Sequence, residues 1–322
     1  MPGIDSQSGR VLDKISDAID KGDIGLPMHR SIPYLTGIIF FCIAVNALNG
    51  PLDWNSKSLF DTKKDKTKFR QYEEACDRVK SFYKEQHEKQ TVAFNRKARA
   101  DFKEKFRARM GIWDAIEKLN TLVDDSDPDT SVSQIEHLLQ TAEAIRKDGK
   151  PEWMQVTGLV HDLGKLLNFF GSEGQWDVVG DTFVVGCQFS DKIIYPDTFA
   201  KNPDFSDPLY SSKYGIYEPD CGLDNVMLSW GHDEYLYNVL KDQSTLPEEG
   251  LAMIRYHSFY PWHRENAYAH LASEKDAKTL EAVRAFNPYD LYSKNDETCD
   301  VARLRPYYED LIAKFFPAEL NW

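Results

Sequence analysis

The sequence has few cysteines, and they do not form the patterns of a disulfide scaffold or a zinc site. There are five, an odd number, at irregular spacings, and no CxxC pair occurs. This usage is typical of reduced thiols in a cytosolic protein rather than of a secreted disulfide framework. We therefore expect a cytoplasmic protein with free cysteines.

Basic residues are fewer than acidic residues. The chain has 39 lysine and arginine residues against 52 aspartate and glutamate residues, and its formal net charge is -13. A field of that sign repels nucleic acids and anionic membrane surfaces. We expect neither as a partner, and we expect the protein to be a monomer.

The sequence lacks a hydrophobic run long enough for a membrane-spanning helix. The charge-free apolar stretch from Ile32 to Leu48 is shorter than the roughly 20 residues that such a helix needs. More than 30 residues with mixed charges precede it, which is unlike a secretory signal. Residues 1–60 are otherwise polar and are interrupted by glycine and proline, so we expect a loosely ordered leader without catalytic residues.

The remaining chain, residues 61–322, is predicted to form a single catalytic helical domain. Strict two-residue alternation is missing, except around WDVVGDTFVVG, and 42% hydrophobic residues can supply a sizeable core. Periodicity and helix-stop residues predict helices within 63–109, around 135–145, and over 153–170, 223–241, 247–261 and 274–286. The predicted fold class is all-α, with few or short strands.

Two ionisable residues interrupt an apolar helical segment. His161 and Asp162 lie within VTGLVHDLGKLLNFF, where burial of an uncompensated charge would cost several kcal/mol. An adjacent imidazole and carboxylate suit a pair of metal ions, because the carboxylate can bridge both. The alternative is a hydrogen-bonded core histidine, which is the commoner case for a histidine that stands alone.

Further candidate ligands lie on segments that could face His161 and Asp162. They are His137, His232, His257 and Asp290. Four imidazoles and two carboxylates without a thiolate fit iron or manganese and do not exclude zinc. The other histidines lie in polar or charged surroundings, and we interpret them as structural or solvated: His29, His87, His263 and His270.

The order H…HD…H…H…D resembles that of the HD-domain superfamily. The strings LVDDSDPD, VVGDTFVVGC, WGHDEYLY and HSFYPWH resemble, more narrowly, the myo-inositol oxygenase family, and the similar strings together span about Phe69 to Trp322. The ligand order alone is only moderately specific, whereas the last two strings are highly specific. The resemblance implies an HD-domain-like helical bundle around a dinuclear metal site.

The resemblance also implies a ligand set and a reaction. His137, His161, Asp162 and Asp290 would hold one iron, and His232, His257 and the bridging Asp162 would hold the other. A mixed-valent Fe(II)/Fe(III) pair would use O2 to convert myo-inositol into D-glucuronate, a ring-cleaving, four-electron oxidation in inositol catabolism. No organic cofactor would be needed.

Substrate contacts are implied residue by residue. The candidates are Arg70, Asp124, Asp125, Ser126, Lys165, Gly180, Asp181, His257 and Ser258. Lys165 is also the catalytic candidate: on a continuous helix it would lie one turn beyond His161, and its ammonium group could hydrogen-bond an iron-bound hydroxyl. Asp125 stands where the family pattern has a longer glutamate.

Each contact has a plainer alternative. Residues 124–129 could form only a turn and cap around Pro128, and Arg70 could pair with Glu73 or Glu74 on a helix surface. Asp181 could cap a turn.

The alternative function is an HD-type two-metal phosphohydrolase, although no arginine cluster stands near the ligands to neutralise a phosphate. A third hypothesis is a non-enzymatic regulator that docks through the 32–48 run.

Overall fold

A computed structural model of the chain describes residues 53–56, 58, 60–127, 132–294 and 298–322. The predicted leader, apart from residues 53–56, 58 and 60, and the apolar run at 32–48 lie outside this part. Within it, helices predominate, and the strands are two residues long: β1 (Arg109–Met110) pairs antiparallel with β2 (Leu320–Asn321). None of the described helices is both long and apolar enough to span a membrane. The prediction of an all-α fold with few or short strands is confirmed.

The first predicted helix, within 63–109, is two helices. They are α1 (Asp77–Lys89) and α2 (Val92–Glu104). Gln90 ends α1 with a non-helical ψ of 73°, and its buried amide donates to the carbonyl of Trp230 at 2.7 Å. Thr91 then caps α2 by accepting from the Phe94 amide. The prediction of one helix was wrong because a long-range contact interrupts a favourable local pattern.

A central layer consists of α3 (Ile112–Leu119), α4 (Gln134–Lys147) and α5 (Glu152–Val160). The predicted apolar stripe of α4 is buried except at its first residue: Leu138, Leu139, Ala142 and Ile145 are buried, and Ile135 is half-buried. Gly158 lets α4 and α5 approach closely, because a Cβ there would lie 2.7 Å from Ile145 Cδ1.

The predicted helix over 153–170 ends at Val160. A 3₁₀ helix, Leu163–Phe169, follows the turn at His161 and Asp162. The tighter turn brings the backbone of Gly164 against α6 (His232–Leu240), where a Cβ on Gly164 would lie 2.0 Å from the carbonyl oxygen of His232. The prediction of one continuous helix was therefore wrong.

The helix predicted over 223–241 begins only at His232. Residues 223–225 form a 3₁₀ turn, and the chain after them runs extended beside residues 183–185, with an isolated bridge between Val184 and Leu228. The Ser229 amide donates to the carbonyl of Phe183 at 2.7 Å. These contacts hold the segment before α6 in a non-helical conformation.

The helix predicted over 247–261 is α7 (Glu248–Tyr256), which begins after Pro247 as predicted. Its two N-terminal glutamates lie where the helix dipole favours negative charge. The expected stop at Pro261 is wrong, because α7 ends five residues earlier and Pro261 instead lies in the first turn of α8 (Tyr260–His263). Proline suits that position because a backbone N–H in the first turn has no acceptor within the helix, so proline loses no hydrogen bond there.

The helix predicted over 274–286 is α9 (Asp276–Tyr292), which continues through Pro288 and past the predicted end at 286. In its first turn, the Asp276 carboxylate accepts a hydrogen bond from the Ser273 amide at 2.6 Å. Tyr289 and Asp290 are buried in the last turn, and this packing retains the turn although proline donates no hydrogen bond. The helix α10 (Val301–Phe315) follows.

Residues before the predicted domain boundary at 60 also pack on the helices. Trp54 makes an edge contact with Trp153, and the Phe60 ring lies 5.3 Å from that of Tyr289. Lys150 Nζ donates to the carbonyl of Ser56 at 2.7 Å. The division into a leader and a catalytic domain stays a prediction, but these residues of the predicted leader, which are not helical, contact the helices.

Candidate metal centre

Six predicted ligands converge from five helices, and none of them is more than 7% exposed. Two histidines occupy the C-terminal cap positions of helices: His161 on α5 and His257 on α7. The others lie within α4, directly after His161, at the start of α6 and in the last turn of α9: His137, Asp162, His232 and Asp290.

The four imidazoles form two pairs. The Nε2 atoms of His137 and His161 are 3.3 Å apart, and those of His232 and His257 are also 3.3 Å apart. In His161, His232 and His257 the opposite nitrogen, Nδ1, lies 2.8 to 2.9 Å from a backbone carbonyl, which can only accept a hydrogen bond. Their Nε2 lone pairs therefore point into the centre.

Asp162 lies between the two pairs. Its Oδ2 is 3.5 and 3.6 Å from Nε2 of His137 and His161, and its Oδ1 is 3.5 and 3.4 Å from Nε2 of His232 and His257. Each carboxylate oxygen thus faces one pair, which is the arrangement of a bridging ligand. Asp290 adds an oxygen 3.1 Å from Nε2 of His137 on the first side only.

Electrostatics keep these carboxylates ionised. Burial would raise the pKa of Asp162, but the ammonium group of Lys165 and the ring of His161 hold that pKa well below its usual range. For Asp290, burial is likewise outweighed, here by the neighbouring rings of His137 and His161, and the pKa is again well below normal.

The geometry fits metal ions. Two facing imidazole lone pairs 3.3 Å apart repel each other unless a cation or proton lies between them, and buried carboxylates need positive charge nearby. The sets His137, His161, Asp162 and Asp162, His232, His257 each have ligand atoms close enough for one ion. Nitrogen and oxygen donors of this kind suit iron, manganese or zinc.

A polar cavity of about 90 Å³ opens beside the centre. Eight of the nine predicted contact residues line it: Arg70, Asp124, Ser126, Lys165, Gly180, Asp181, His257 and Ser258. Asp125 does not, because its carboxylate turns outward and pairs with Arg78 at 2.8 Å on the surface. The shorter side chain at this position therefore has no direct effect on the cavity.

Lys165 links the cavity to the bridging carboxylate. Its Nζ lies 2.8 Å from Asp162 Oδ2 and 2.9 Å from Asp124 Oδ2. Burial would lower the pKa of Lys165, but these two carboxylates raise it above its ordinary value. Because Leu163–Phe169 is a 3₁₀ helix, Lys165 approaches Asp162 three residues back, and the expected position one α-helical turn beyond His161 was wrong.

Arg70 is not on a helix and has a φ of 60°. Its guanidinium group forms two hydrogen bonds to Asp181, at 2.7 and 3.2 Å, and lies 3.5 Å from the ring centre of Tyr260. The alternative pairing on a helix surface is therefore wrong. Asp181 follows Gly180, whose φ of +91° and closeness to Phe82 exclude a side chain.

Sequence reasoning missed several residues of the site. Five of them line the cavity: Tyr72, Tyr83, Asp127, Tyr260 and Lys294. The sixth, Asp233, lies beside Nε2 of His232 and Nδ1 of His257. The spacing of Lys294, four residues after Asp290, was a usable signal. For Asp233, the only sequence signal was its position directly after the candidate ligand His232.

Two histidines that were set aside as structural or solvated are buried. His87 makes a 2.6 Å hydrogen bond with Thr198 Oγ1, and His263 Nε2 donates to the carbonyl of His257 at 2.9 Å. Both therefore have structural contacts. His29 lies outside the described residues.

Fold and site together define a helical protein with a buried histidine and aspartate centre suited to two metal ions. A family model described as "Myo-inositol oxygenase" matches residues 76–322. The chain belongs to the myo-inositol oxygenase family.

Similar proteins come from distant organisms. The chain is 51% identical to "Probable inositol oxygenase" of Oryza sativa subsp. japonica over 261 residues, which cover 79% of this chain and 85% of that protein. It is 48% identical to "Inositol oxygenase" of Dictyostelium discoideum, covering 84% and 95%. It is also 48% identical to "Inositol oxygenase" of Homo sapiens, covering 80% and 92%.

Proposed function

We propose that this protein is an oxygenase that converts myo-inositol and O2 into D-glucuronate at a centre of two iron ions. Family membership and the names of the relatives support the reaction. The observation that carries the proposal is the position of Asp162, whose two oxygens face two separate pairs of imidazoles. A single-metal site would have no use for the second pair.

The proposed ligands divide between the ions. His137, His161 and Asp290 would hold the first, His232 and His257 the second, and Asp162 both. When bound, a mixed-valent iron pair would supply electrons for O2 and a Lewis acid for substrate hydroxyls. The second ion would have fewer protein ligands, so the substrate would bind on that side, beside Ser258.

The charges around the cavity support an uncharged substrate. The cationic side chains that line the cavity lie beside carboxylates: Arg70 beside Asp181, Lys165 beside Asp124 and Asp162, and Lys294 beside Asp127. These pairs give many hydrogen-bond donors and acceptors with little excess charge, which suits a ring of hydroxyl groups. The small cavity volume, about 90 Å³, agrees with a small ligand.

We assign Lys165 the role of catalytic residue. Its high pKa keeps the ammonium group charged, and its position beside the bridging carboxylate lets it donate to a substrate hydroxyl. A fixed positive charge there stabilises the negative charge that develops on the hydroxyl oxygen as its proton leaves. The ammonium group itself cannot coordinate metal, because it has no lone pair.

The same contacts argue against the phosphohydrolase. A phosphate needs unneutralised cations, usually arginine, and each cation of this cavity already stands beside a buried or partly buried carboxylate. The discriminating experiment loads the protein anaerobically with iron and measures O2 consumption and glucuronate formation with myo-inositol. Phosphate release from nucleotides without O2 consumption would overturn the proposal.

We further propose that the enzyme is a cytoplasmic monomer of inositol catabolism, without nucleic-acid or membrane partners. The net charge of -13 supports the lack of anionic partners. Four described cysteines are free, in agreement with a reducing compartment: Cys76, Cys187, Cys221 and Cys299.

A further inference from the structure

A third buried carboxylate lies beside the centre, on the side of the second imidazole pair. Asp233 is 1% exposed, and its Oδ1 lies 2.9 Å from Nε2 of His232 and 3.3 Å from Nδ1 of His257. Its Oδ2 accepts hydrogen bonds from the Ser258 amide at 3.1 Å and from Thr182 Oγ1 at 3.2 Å. One side chain thus contacts both imidazoles and the wall of the cavity.

The two halves of the centre differ in what lies beside the Nδ1 atoms of their imidazoles. His161 and His257 both donate Nδ1–H to the carbonyl three residues earlier, but among the described contacts only His257 also has a carboxylate beside that nitrogen. On the first side, Nδ1 of His137 has no hydrogen-bond partner, and on the second side Asp233 Oδ1 makes close contacts with the two rings without a hydrogen bond to either. A carboxylate beside the imidazole nitrogen that does not face the metal fixes the ring and raises the basicity of the other nitrogen, and this is the position of Asp233 beside Nδ1 of His257.

We propose that Asp233 is a positioning residue for the second half of the centre: its charge faces Nδ1 of His257 and lies against the metal-facing Nε2 of His232, and its hydrogen bonds tie this half to Ser258 and Thr182. The inference rests on the proposed function, in which this half binds both metal and substrate. Thr182 directly follows Asp181, and its amide donates to the carbonyl of Ser258 at 2.9 Å. Asp233 thereby connects the metal ligands with two segments of the cavity wall.

The next residue on the same helix provides a contrast. Glu234 is 6% exposed, and its carboxylate pairs with Arg255 at 2.9 Å and with Arg99 at 3.6 Å. That is an ordinary structural role for a buried carboxylate, which needs a cation. Asp233 instead faces imidazoles, a hydroxyl and an amide, so its charge is directed towards the metal ligands.

The test compares Asp233→Asn with Glu234→Gln, two substitutions that remove one buried carboxylate charge each from neighbouring positions. Metal binding is measured by titrating metal-free protein with Co(II) and, anaerobically, with Fe(II), following stoichiometry and absorption spectra. We expect Asp233→Asn to weaken the binding of one of the two ions by about 10- to 100-fold and to alter its spectrum. Glu234→Gln should lower thermal stability but leave both binding steps unchanged.

A second variant covers the possibility that Asp233→Asn does not fold. Thr182→Val removes one hydrogen bond to Asp233 and leaves the carboxylate in place. It should weaken the same ion, by less than Asp233→Asn does, and raise KM more than it lowers kcat. If folded Asp233→Asn, or Thr182→Val where the first variant is unfolded, binds both ions like the unmodified protein, the inference is wrong.

Failure of the proposed function would give a different result. An unmodified protein that binds two metal ions but makes no glucuronate would overturn the oxygenase proposal. The metal titrations of Asp233→Asn would then still decide whether this residue positions the second imidazole pair.

Discussion

His161 and His257 occupy equivalent positions at the ends of two different helices. Each is the C-terminal cap of its helix, and each donates Nδ1–H to the carbonyl three residues earlier, at 2.8 Å in His161 and 2.9 Å in His257. The last carbonyls of a helix have no partner within it, so the imidazole satisfies one of them. The helix ends therefore aim both Nε2 atoms at Asp162 before any metal binds.

Removal of the bridging carboxylate should release both ions. We expect about two irons per chain in the unmodified protein and well below one in Asp162→Ala, because each ion loses a ligand and its main negative neighbour. Metal analysis after desalting measures this. Asp125→Ala is the control, since Asp125 pairs with Arg78 on the surface and should retain two irons. Two tightly bound irons in Asp162→Ala would rule out the bridge.

Loss of the Lys165 ammonium group should affect turnover more than metal content. In Lys165→Met the ligands remain, but no charge stabilises the developing alkoxide, and kcat should fall by about 10²- to 10³-fold. Iron content and glucuronate formation are measured on the same samples. A variant with full iron and near-normal kcat would show that Lys165 takes no part in the reaction.

The two arginine–aspartate pairs should differ in energy. The pair of Arg70 and Asp181 is largely buried, whereas Arg78 and Asp125 are 46% and 39% exposed. Arg70→Ala leaves a buried carboxylate unpaired and should cost about 3–5 kcal/mol of unfolding free energy, together with a higher KM. Arg78→Ala should cost less than about 1 kcal/mol. Urea unfolding compares them, and equal losses would contradict the burial argument.

Gly164 should tolerate no side chain. The Cβ of Gly164→Ala would lie 2.0 Å from the carbonyl oxygen of His232, so the 3₁₀ helix and α6 would have to separate. We expect lower thermal stability and weaker binding of the second ion. Gly231→Ala is a suitable control, because its Cβ would lie 3.4 Å from the nearest described backbone atom, an ordinary contact. Unchanged metal binding in Gly164→Ala would show that the two elements can move apart freely.

Acid should destabilise the protein partly through His87. Burial lowers the pKa of His87 from 6.5 to about 3, so between these pH values the unfolded chain binds a proton that the folded chain does not. Stability contributed by this group is present above pH 6.5 and is lost as pH falls towards 3, by up to about 1.4 kcal/mol per pH unit.

The variant His87→Gln should flatten the dependence of unfolding free energy on pH in that window, because glutamine does not titrate. Identical slopes in His87→Gln and the unmodified protein would mean that His87 does not titrate as its burial requires.

The sequence by itself determined the all-α fold class, the identity of the six converging side chains and most of the cavity contacts. The fold class could be predicted because periodicity is a local property, and the metal ligands because an ionisable residue in an apolar segment signals a compensating partner wherever that partner lies. The cavity contacts were implied by the resemblance of the sequence strings to a family. The same sequence patterns do not show where in the fold the compensating side chain lies.

Only the tertiary structure decided where several of the helices begin and end and which way each side chain turns. Gly164 against His232 shortens one predicted helix, the strand-like contact of Ser229 with Phe183 delays another, and packing carries α9 through Pro288 to Asp290. Such contacts join residues far apart in sequence, so local propensity does not contain them. For the same reason, the sequence around Asp125 does not predict that its side chain turns outward to the surface. Nor does the sequence around Asp233 predict that its side chain turns inward to the imidazoles.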